Sequence, residues 1–314
     1  MELSPSGIPI IDLSFSEPNQ VAQYVSKACK DTGCFYIKNH GVDLQLIENT
    51  FHDLRTFFEQ HIDYKMNFLD PNQNVDRGYH PFETQNVNAF MGRLGLPNDP
   101  VEKISFGPPP GFSRPVPENT YPDIPLTLKQ HVETYYTQLR QLAERLFQIF
   151  AIAANAPSKD FFQEKCIEGE HIMKANFYPK ISTPKPHQDT RFATHTDSTP
   201  FTILAMDDCS RSLQIQNSKG EWTYADPVKG AFFVNLGDVL AMWTNDKWKA
   251  TVHRVVWPPK EQERLSIAYF VVMNPDAVVE CLESCLAPDE TPKYANISYK
   301  EYVTARMNRL EGKY

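Results

Sequence analysis

A chain of 314 residues is long enough to bury a sizeable core, either as one large domain or as two small ones. Its formal charge of -8, without any basic run, argues against nucleic acid or an anionic membrane as partner and favours a small molecule. The first residues contain no secretory signal, no apolar run could span a bilayer, and the six cysteines lack paired spacing. We therefore expect a cytoplasmic protein with reduced thiols that acts as a monomer or a weak oligomer.

Hydrophobic periodicity predicts alternating strands and helices at the beginning of the chain. Apolar runs closed by turn residues indicate strands over 8–13 and 33–41. Apolar residues at helical spacing indicate helices over 17–30 and 44–68. Arg77-Gly78-Tyr79 is predicted to lie in a loop.

The second part of the chain is first irregular and helical and then rich in predicted β-strands. A proline-rich stretch over 107–125 predicts extended or irregular chain, and a core-facing amphipathic helix over 126–154 follows it. Short β-rich runs are then separated by turn residues, over 172–178, 201–206, 213–216, 231–234, 251–257 and 265–273. A helix over 299–310 closes the chain. This order predicts an α+β fold in which helices pack around an antiparallel double-sheet core.

The central chemical signal is a pair of residues in front of an apolar, β-branched segment. His195 and Asp197 are two residues apart, and side chains alternate faces in an extended chain, so both would point the same way. His253, on a different predicted strand, is the candidate third ligand for a metal ion. Two histidines and one carboxylate with open positions opposite suit Fe(II), and the same set could hold Zn(II) with an activated water.

A second H-x-D pair shows that such a pair alone is a weak signal. His187 and Asp189 have the same spacing but lie among prolines, in a predicted loop rather than at a strand entrance. We interpret His187 as a solvated or pocket-rim residue and keep it only as a reserve ligand.

Arg264 and Ser266 form the other informative spacing. Both face one side of a predicted strand whose other residues are strongly apolar, where a buried guanidinium requires an anion. A carboxylate would accept its two parallel hydrogen bonds. The alternative is an ordinary arginine at a strand end, paired with Glu261 or Glu263.

Taken in order, these residues resemble the Fe(II)- and 2-oxoglutarate-dependent dioxygenases of the isopenicillin N synthase-like superfamily. The H-x-D pair, the distant histidine and the R-x-S pair occur in the order typical of that family. Further segments that match its motifs are Arg77-Gly78-Tyr79, Asn176-Phe177-Tyr178-Pro179, Leu213-Gln214, Asn235-Leu236-Gly237-Asp238 and Trp243-Thr244-Asn245-Asp246. The resemblance covers nearly the whole chain.

The resemblance implies a distorted double-stranded β-helix, or jelly-roll, core with flanking helices. Residues 1–110 would form an N-terminal region of helices and strands, and residues 111–314 the long helix, the jelly roll and the C-terminal helix, together one integrated catalytic unit. The family's ligand positions fall on His195, Asp197 and His253 for Fe(II). Its cosubstrate positions fall on residues expected to hold 2-oxoglutarate, namely Arg264, Ser266, Asn176 and Tyr178.

Two positions depart from the family pattern. Lys174 stands where relatives commonly have arginine, and Ser198-Thr199-Pro200 follows the H-x-D pair where a glycine is usual. Neither change removes a ligand, but both are expected to reshape the wall of the pocket.

The activity implied by the resemblance is oxidation of an unactivated C–H bond in a small molecule, a specialised metabolite or an amino-acid derivative. The reaction would use Fe(II), consume 2-oxoglutarate and O2, and release succinate and CO2, and its outcome would be hydroxylation, desaturation or oxidative cyclisation. Two alternatives stay open: an Fe(II) and O2 oxidase that works without 2-oxoglutarate, and a catalytically silent binding protein on the same scaffold.

Residues around the expected site are candidates for substrate binding. The aromatic and apolar candidates for the pocket wall are Tyr79, Phe177, Phe192, Phe201, Phe270 and Met273. The polar candidates are Arg93, His187 and Arg191, of which an arginine could hold a substrate carboxylate. The competing interpretation is a solvated surface charge, which the sequence favours for most of them.

Overall fold

A computed structural model describes residues 1–15, 17–69 and 76–310, with the backbone alone for 307–310. Its helices are α1 (Pro18–Asp31), α2 (Leu44–Phe58), α3 (Ile62–Lys65), α4 (Val87–Phe90), α5 (Leu128–Ala153), α6 (Phe161–Glu164), α7 (Asp238–Trp243) and α8 (Tyr299–Leu310). Short 3-10 turns cover Met66–Phe68 and Glu283–Cys285. None of the helices in the described ranges is long and apolar enough to cross a membrane.

Fifteen strands form two facing sheets and one small ribbon within the described chain. They are β1 (Glu2–Leu3), β2 (Pro9–Asp12), β3 (Cys34–Lys38), β4 (Gly78–His80), β5 (Glu102–Phe106), β6 (Ile172–Tyr178), β7 (Thr190–His195), β8 (Phe201–Met206), β9 (Leu213–Gln216), β10 (Trp222–Tyr224), β11 (Ala231–Leu236), β12 (His253–Val256), β13 (Arg264–Phe270), β14 (Val278–Val279) and β15 (Ile297–Ser298). The large sheet has the order β1-β2-β3-β11-β8-β13-β6-β5-β4, and the small sheet has the order β10-β9-β12-β7. The ribbon pairs β14 with β15.

The two faces of the large sheet are buried in different ways. Its outer face packs on α1, α2 and α5, and α5 buries an apolar stripe that includes Leu139, Leu146 and Phe150. Its inner face packs against the small sheet, where Tyr36 and Phe233 share a second core with Ile215. Strands from both the beginning and the end of the chain therefore enclose one inner space, and polar residues on this inner face border the candidate site.

Most predicted elements are present, and the α+β prediction is confirmed. The prediction for 44–68 as one helix is wrong, because α2 ends at Phe58 and a new helical segment begins after His61. Phe68 folds back to lie 6.1 Å from Phe57, measured between ring centres. The helical spacing of apolar residues thus continues across the break between α2 and α3, so the sequence pattern alone does not show this turn.

Two other local predictions are corrected. Gly78 and Tyr79 belong to the edge strand β4, which pairs with β5, rather than to a loop. His195 and Asp197 do not lie in one extended strand, because β7 ends at His195 and Asp197 is in the turn before β8. Three-residue strands and tight turns are shorter than the window over which periodicity can be recognised.

Candidate active site

Three side chains converge between the two sheets. The Nε2 atom of His195 lies 3.7 Å from Oδ1 of Asp197, and the Nε2 atom of His253 lies 3.8 Å from the same oxygen. One ligand atom from each residue lies within 4.8 Å of the others. Two imidazoles and one carboxylate at such distances can bind a single metal ion and leave its other face open, as in non-haem Fe(II) oxygenases.

A β-bulge aims the first histidine. In the pairing of β7 with β12, His195 is opposite His253 and Phe192 is opposite Val255, so two residues of β7, Ala193 and Thr194, lie between these pairs where β12 has only Arg254. The backbone N–H of the bulged residue Ala193 donates to Oδ1 of Asp99 over 3.0 Å. As a result Phe192 and His195 share one face, with ring centres 5.0 Å apart.

The ring nitrogens of both histidines are assigned by their hydrogen bonds. Nδ1 of His195 donates to the carbonyl of Ala193 over 2.8 Å, and Nδ1 of His253 donates to the carbonyl of Thr251 over 2.9 Å. Burial, and then the nearby His253, lower the pKa of His195 to about 3. The ring of His195 is therefore neutral at pH 7, and Nε2 presents the lone pair that a metal ligand requires.

The two oxygens of Asp197 have different roles. Oδ2 accepts hydrogen bonds from Oγ1 of Thr202 over 2.6 Å and from Nδ2 of Asn235 over 2.8 Å, which leaves Oδ1 directed at the histidines. Burial raises the pKa of this carboxyl, but the two histidines and these two donors outweigh burial and lower the pKa below its ordinary value. Asp197 is thus held as a carboxylate with one oxygen ready for a metal ion.

The unusual Ser198-Thr199-Pro200 segment packs on a glycine that has no room for a side chain. A Cβ atom on Gly237 would lie 1.9 Å from the carbonyl oxygen of Thr199. The backbone N–H of the next residue, Asp238, donates to the carbonyl of Asp197 over 2.8 Å. This close approach of two backbones fixes the turn that carries the metal-binding carboxylate.

A buried arginine lies on the inner face of the neighbouring strands. In the pairing of β13 with β6, Arg264 is opposite Tyr178 and Ser266 is opposite Asn176, so all four side chains face the same space. Arg264 is only 2% exposed, and its Nη1 donates to Oγ of Ser266 over 2.8 Å. Within the described ranges no carboxylate forms an ion pair with Arg264, since Glu263 pairs with Arg55 instead. The N–H groups of Arg264 that do not donate to Ser266 are available to an anion such as a carboxylate.

The proposed pocket residues divide into two groups. Phe192 and Phe270 lie on inner faces, and Arg93 donates to the carbonyl of Thr194, next to the metal ligands. The structure places the others away from the site: Tyr79, Phe177, Phe201 and Met273 are in the outer core, and His187 is exposed in a loop. Arg191 is buried, and its guanidinium donates to the backbone carbonyls of Tyr178, Pro179 and Gln262.

Several residues at the site are not predicted as site residues from the sequence, although Asn235 lies in one of the segments that match the family's motifs. Thr202 and Asn235 bind Asp197, Asp99 holds the bulge, and Lys103 lies at the inner face of β5. The signal for Lys103 in the sequence is weak: within Glu102–Phe106, Ile104 and Phe106 alternate with polar residues at the period of a strand.

The fold and the site together define a non-haem iron oxygenase, and comparison with known proteins agrees. The sequence profile of the 2OG-Fe(II) oxygenase superfamily matches residues 169–272, and that of the N-terminal region named for a non-haem dioxygenase in morphine synthesis matches residues 8–123. The chain is 30% identical to the 2-oxoglutarate-Fe(II) type oxidoreductase ppzC of Metarhizium rileyi, over 98% of this chain and 88% of that protein. It is 29% identical to a homoarginine-6-hydroxylase of Oryza sativa subsp. japonica, with 96% of each chain covered.

A solved structure extends the similarity to the whole fold. A full-length protein of Neurospora crassa, crystallised in complex with alpha-KG, superposes with a TM-score of 0.86 at 26% identity, covering 100% of both chains. The jelly-roll prediction is confirmed by this likeness, although the described strands form two sheets and not a closed barrel.

The chain belongs to the 2OG-Fe(II) oxygenase superfamily. It is an Fe(II)- and 2-oxoglutarate-dependent dioxygenase that uses O2, and the identification of the family from the sequence is confirmed. Neither a 2-oxoglutarate-independent oxidase nor a silent binding protein is favoured, because the matching relatives are 2-oxoglutarate-dependent enzymes.

Proposed function

We propose that the enzyme oxidises an unactivated C–H bond of a small molecule, with Fe(II) on His195, Asp197 and His253 and 2-oxoglutarate anchored by Arg264 and Ser266. The observation that carries this proposal is that the converging ligand atoms share one inner space with a buried guanidinium, for which the described part of the chain contains no carboxylate partner. The buried guanidinium of Arg264 can form a hydrogen-bonded ion pair with the distal carboxylate of a dicarboxylate such as 2-oxoglutarate.

Each residue has a role that follows from its contacts. The two Nε2 atoms and Oδ1 of Asp197 would hold one face of the metal ion, while Thr202 and Asn235 keep Asp197 ionised and oriented. When bound, iron and 2-oxoglutarate supply O2 activation with release of succinate and CO2.

The cosubstrate would lie along the row of inner residues on β13 and β6. Arg264 and Ser266 would bind its distal carboxylate, and Tyr178 and Asn176 border the same space on the adjacent strand. The apolar neighbours Leu204 and Met206 on β8 limit the access of water to this region.

The substrate class and the outcome are proposed from the relatives. Those relatives include a homoarginine-6-hydroxylase and an azadirone synthase, so a specialised metabolite or an amino-acid derivative is the proposed substrate. Hydroxylation, desaturation and oxidative cyclisation are all compatible with this metal site. We further propose a monomer or weak oligomer in the cytoplasm, in keeping with six free cysteines, five of them buried.

A substrate screen tests the proposed function. The Fe(II)-loaded protein is incubated with 2-oxoglutarate and candidate compounds, and succinate and product masses are recorded. Substrate-dependent succinate with a gain of one oxygen indicates hydroxylation, and loss of two hydrogens indicates desaturation or cyclisation. Oxidised product without any succinate would contradict the proposal.

A further inference from the structure

A second buried cation, Lys103, lies on the inner face and has no part in holding the metal ion or 2-oxoglutarate in the proposed function. Lys103 on β5 is opposite Asn176 on β6, and Asn176 is opposite Ser266 on β13. Lys103 therefore stands in the same row across the sheet as the proposed cosubstrate residues, but two strands away from Ser266. That separation is about 10 Å for neighbouring strands spaced at 4.7–4.9 Å.

The side chain of Lys103 reaches toward the metal ligands. Its Nζ lies 4.3 Å from the centre of the Phe192 ring, and that ring is 5.0 Å from the ring of His195. One aromatic ring thus separates the ammonium from a metal-binding histidine. The side chain of Gln85, which also contacts His80 over 3.2 Å, accepts a hydrogen bond from Nζ.

Lys103 is buried without a carboxylate partner. It is 3% exposed, its Nζ donates to Gln85, and among the described residues no carboxylate forms an ion pair with it. An ammonium has three donors, and of these Gln85 accepts one while Phe192 offers a ring face. A buried charge in this condition is costly unless an anion compensates it.

Among the described residues, the two carboxylates whose charges act on Lys103, Asp99 and Asp76, have other partners. Both oxygens of Asp99 accept backbone N–H groups, from Val87 over 2.6 Å and from Ala193 over 3.0 Å. Asp76 pairs with Lys174 over 2.9 Å. Burial, and then the charge of Lys174, lower the pKa of Lys103 to about 7, which agrees with an ammonium that lacks close compensation.

We infer that the substrate carries an acidic group, of the carboxylate class, that binds to Lys103 while its apolar body packs on Phe192. This inference deepens the proposed function and rests on it for the location of the substrate. The position fits a substrate because Phe192 borders both Lys103 and His195, so a molecule held by Lys103 lies over the metal-binding face. The cosubstrate's distal carboxylate has its own partner in Arg264.

Equilibrium dialysis of a matched pair of probes tests the inference. Phenylacetate and its neutral amide, phenylacetamide, are compared on protein loaded anaerobically with Fe(II) and saturating 2-oxoglutarate, so that Arg264 is occupied. A hydrogen-bonded ion pair contributes about 1.5–3 kcal/mol, so wild type should bind the acid at least about tenfold more tightly than the amide. In Lys103→Met that ratio should fall to about one.

Controls separate this role from folding and from cosubstrate binding. Lys165→Met removes a partly buried lysine that pairs with Glu280 over 3.2 Å on another part of the surface, and it should keep the wild-type ratio. Lys103→Met replaces an unpaired buried charge by an apolar side chain of similar size, so its Tm should not fall. Lys103→Gln is a second, polar variant with the same expected loss of preference.

The contradicting results are specific. Equal affinity of wild type for acid and amide, absence of measurable binding of either, or a preference that persists in both Lys103 variants would each overturn the inference. So would a loss of 2-oxoglutarate affinity in Lys103→Met, because Lys103 would then serve the cosubstrate. Failure of wild type to bind 2-oxoglutarate at all would instead overturn the proposed function.

Discussion

Removing the hydrogen-bond donors of Asp197 should weaken metal binding although neither donor is a ligand. Thr202 and Asn235 are both buried, and together they bind the oxygen of Asp197 that does not face the histidines. Loss of such an outer partner typically costs about 10–100-fold in metal affinity, or about 1.4–2.8 kcal/mol. We expect Thr202→Val and Asn235→Ala each to lose metal affinity by about 10-fold, because one donor to Asp197 is left. The double variant should lose about 100-fold.

The assay is an anaerobic titration with Mn(II), a redox-stable substitute for Fe(II), in which calorimetry measures the metal affinity. Thr202→Ser keeps the hydroxyl and should bind metal like wild type. Thr202 and Asn235 lower the pKa of Asp197, so without them this carboxyl protonates at a higher pH. The difference in metal affinity between wild type and the variants should therefore grow as pH falls toward the range in which carboxyl groups protonate. Wild-type affinity in the double variant would refute the role assigned to Oδ2.

Three further predictions concern the ligands, the cosubstrate and stability. His253→Ala should abolish succinate formation while the Tm shows a folded protein, and retained turnover would remove His253 from the metal site. Arg264→Ala should raise the Kd for 2-oxoglutarate on the Mn(II)-loaded protein by about 100-fold, as for a charged pair worth about 2–3 kcal/mol, and an unchanged Kd would contradict its role. Burial lowers the pKa of His40 to about 4 from its ordinary 6.5, so the unfolded state binds an extra proton between these values and stability falls as pH falls through that window. In His40→Gln the free energy of unfolding, measured with urea at pH 7 and pH 4.5, should therefore differ less between the two pH values than in wild type. An unchanged difference would show that other groups cause the loss of stability.

The residue types that bind metal could be recognised from the sequence because the chemistry restricts them. Few side chains can serve as ligands, and His195, Asp197 and His253 occur in a characteristic order over a long span, with the anion-binding candidate Arg264 after them. The geometry of the H-x-D pair, His195 and Asp197, differs from the prediction. A bulge in β7 and a turn before β8, rather than simple alternation along one strand, bring the two side chains together.

The wall of the pocket could not be predicted as well, because sheet pairing decides which face a residue occupies. Asn176 and Tyr178 face the site, so Phe177 between them must face the outer core, where it stacks on Phe58 at 5.0 Å. That much follows from a period of two and could have been deduced. The place of Lys103 does not follow in this way, because only Ile104 and Phe106 mark β5 as a strand in the sequence, and the partner of Lys103 across the sheet, Asn176, is distant in sequence.

Calorimetric binding of 2-oxoglutarate to the metal-loaded protein tests the central assignment most directly, with the two H-x-D pairs as matched targets. Asp197→Ala removes the carboxylate of the converged site, and Asp189→Ala removes its counterpart beside the exposed His187. We predict saturable, Mn(II)-dependent binding of 2-oxoglutarate in wild type and in Asp189→Ala, and loss of the metal-dependent part in Asp197→Ala. Metal-dependent binding that survives in Asp197→Ala, or disappears in Asp189→Ala, would contradict the assignment of the metal site to His195, Asp197 and His253.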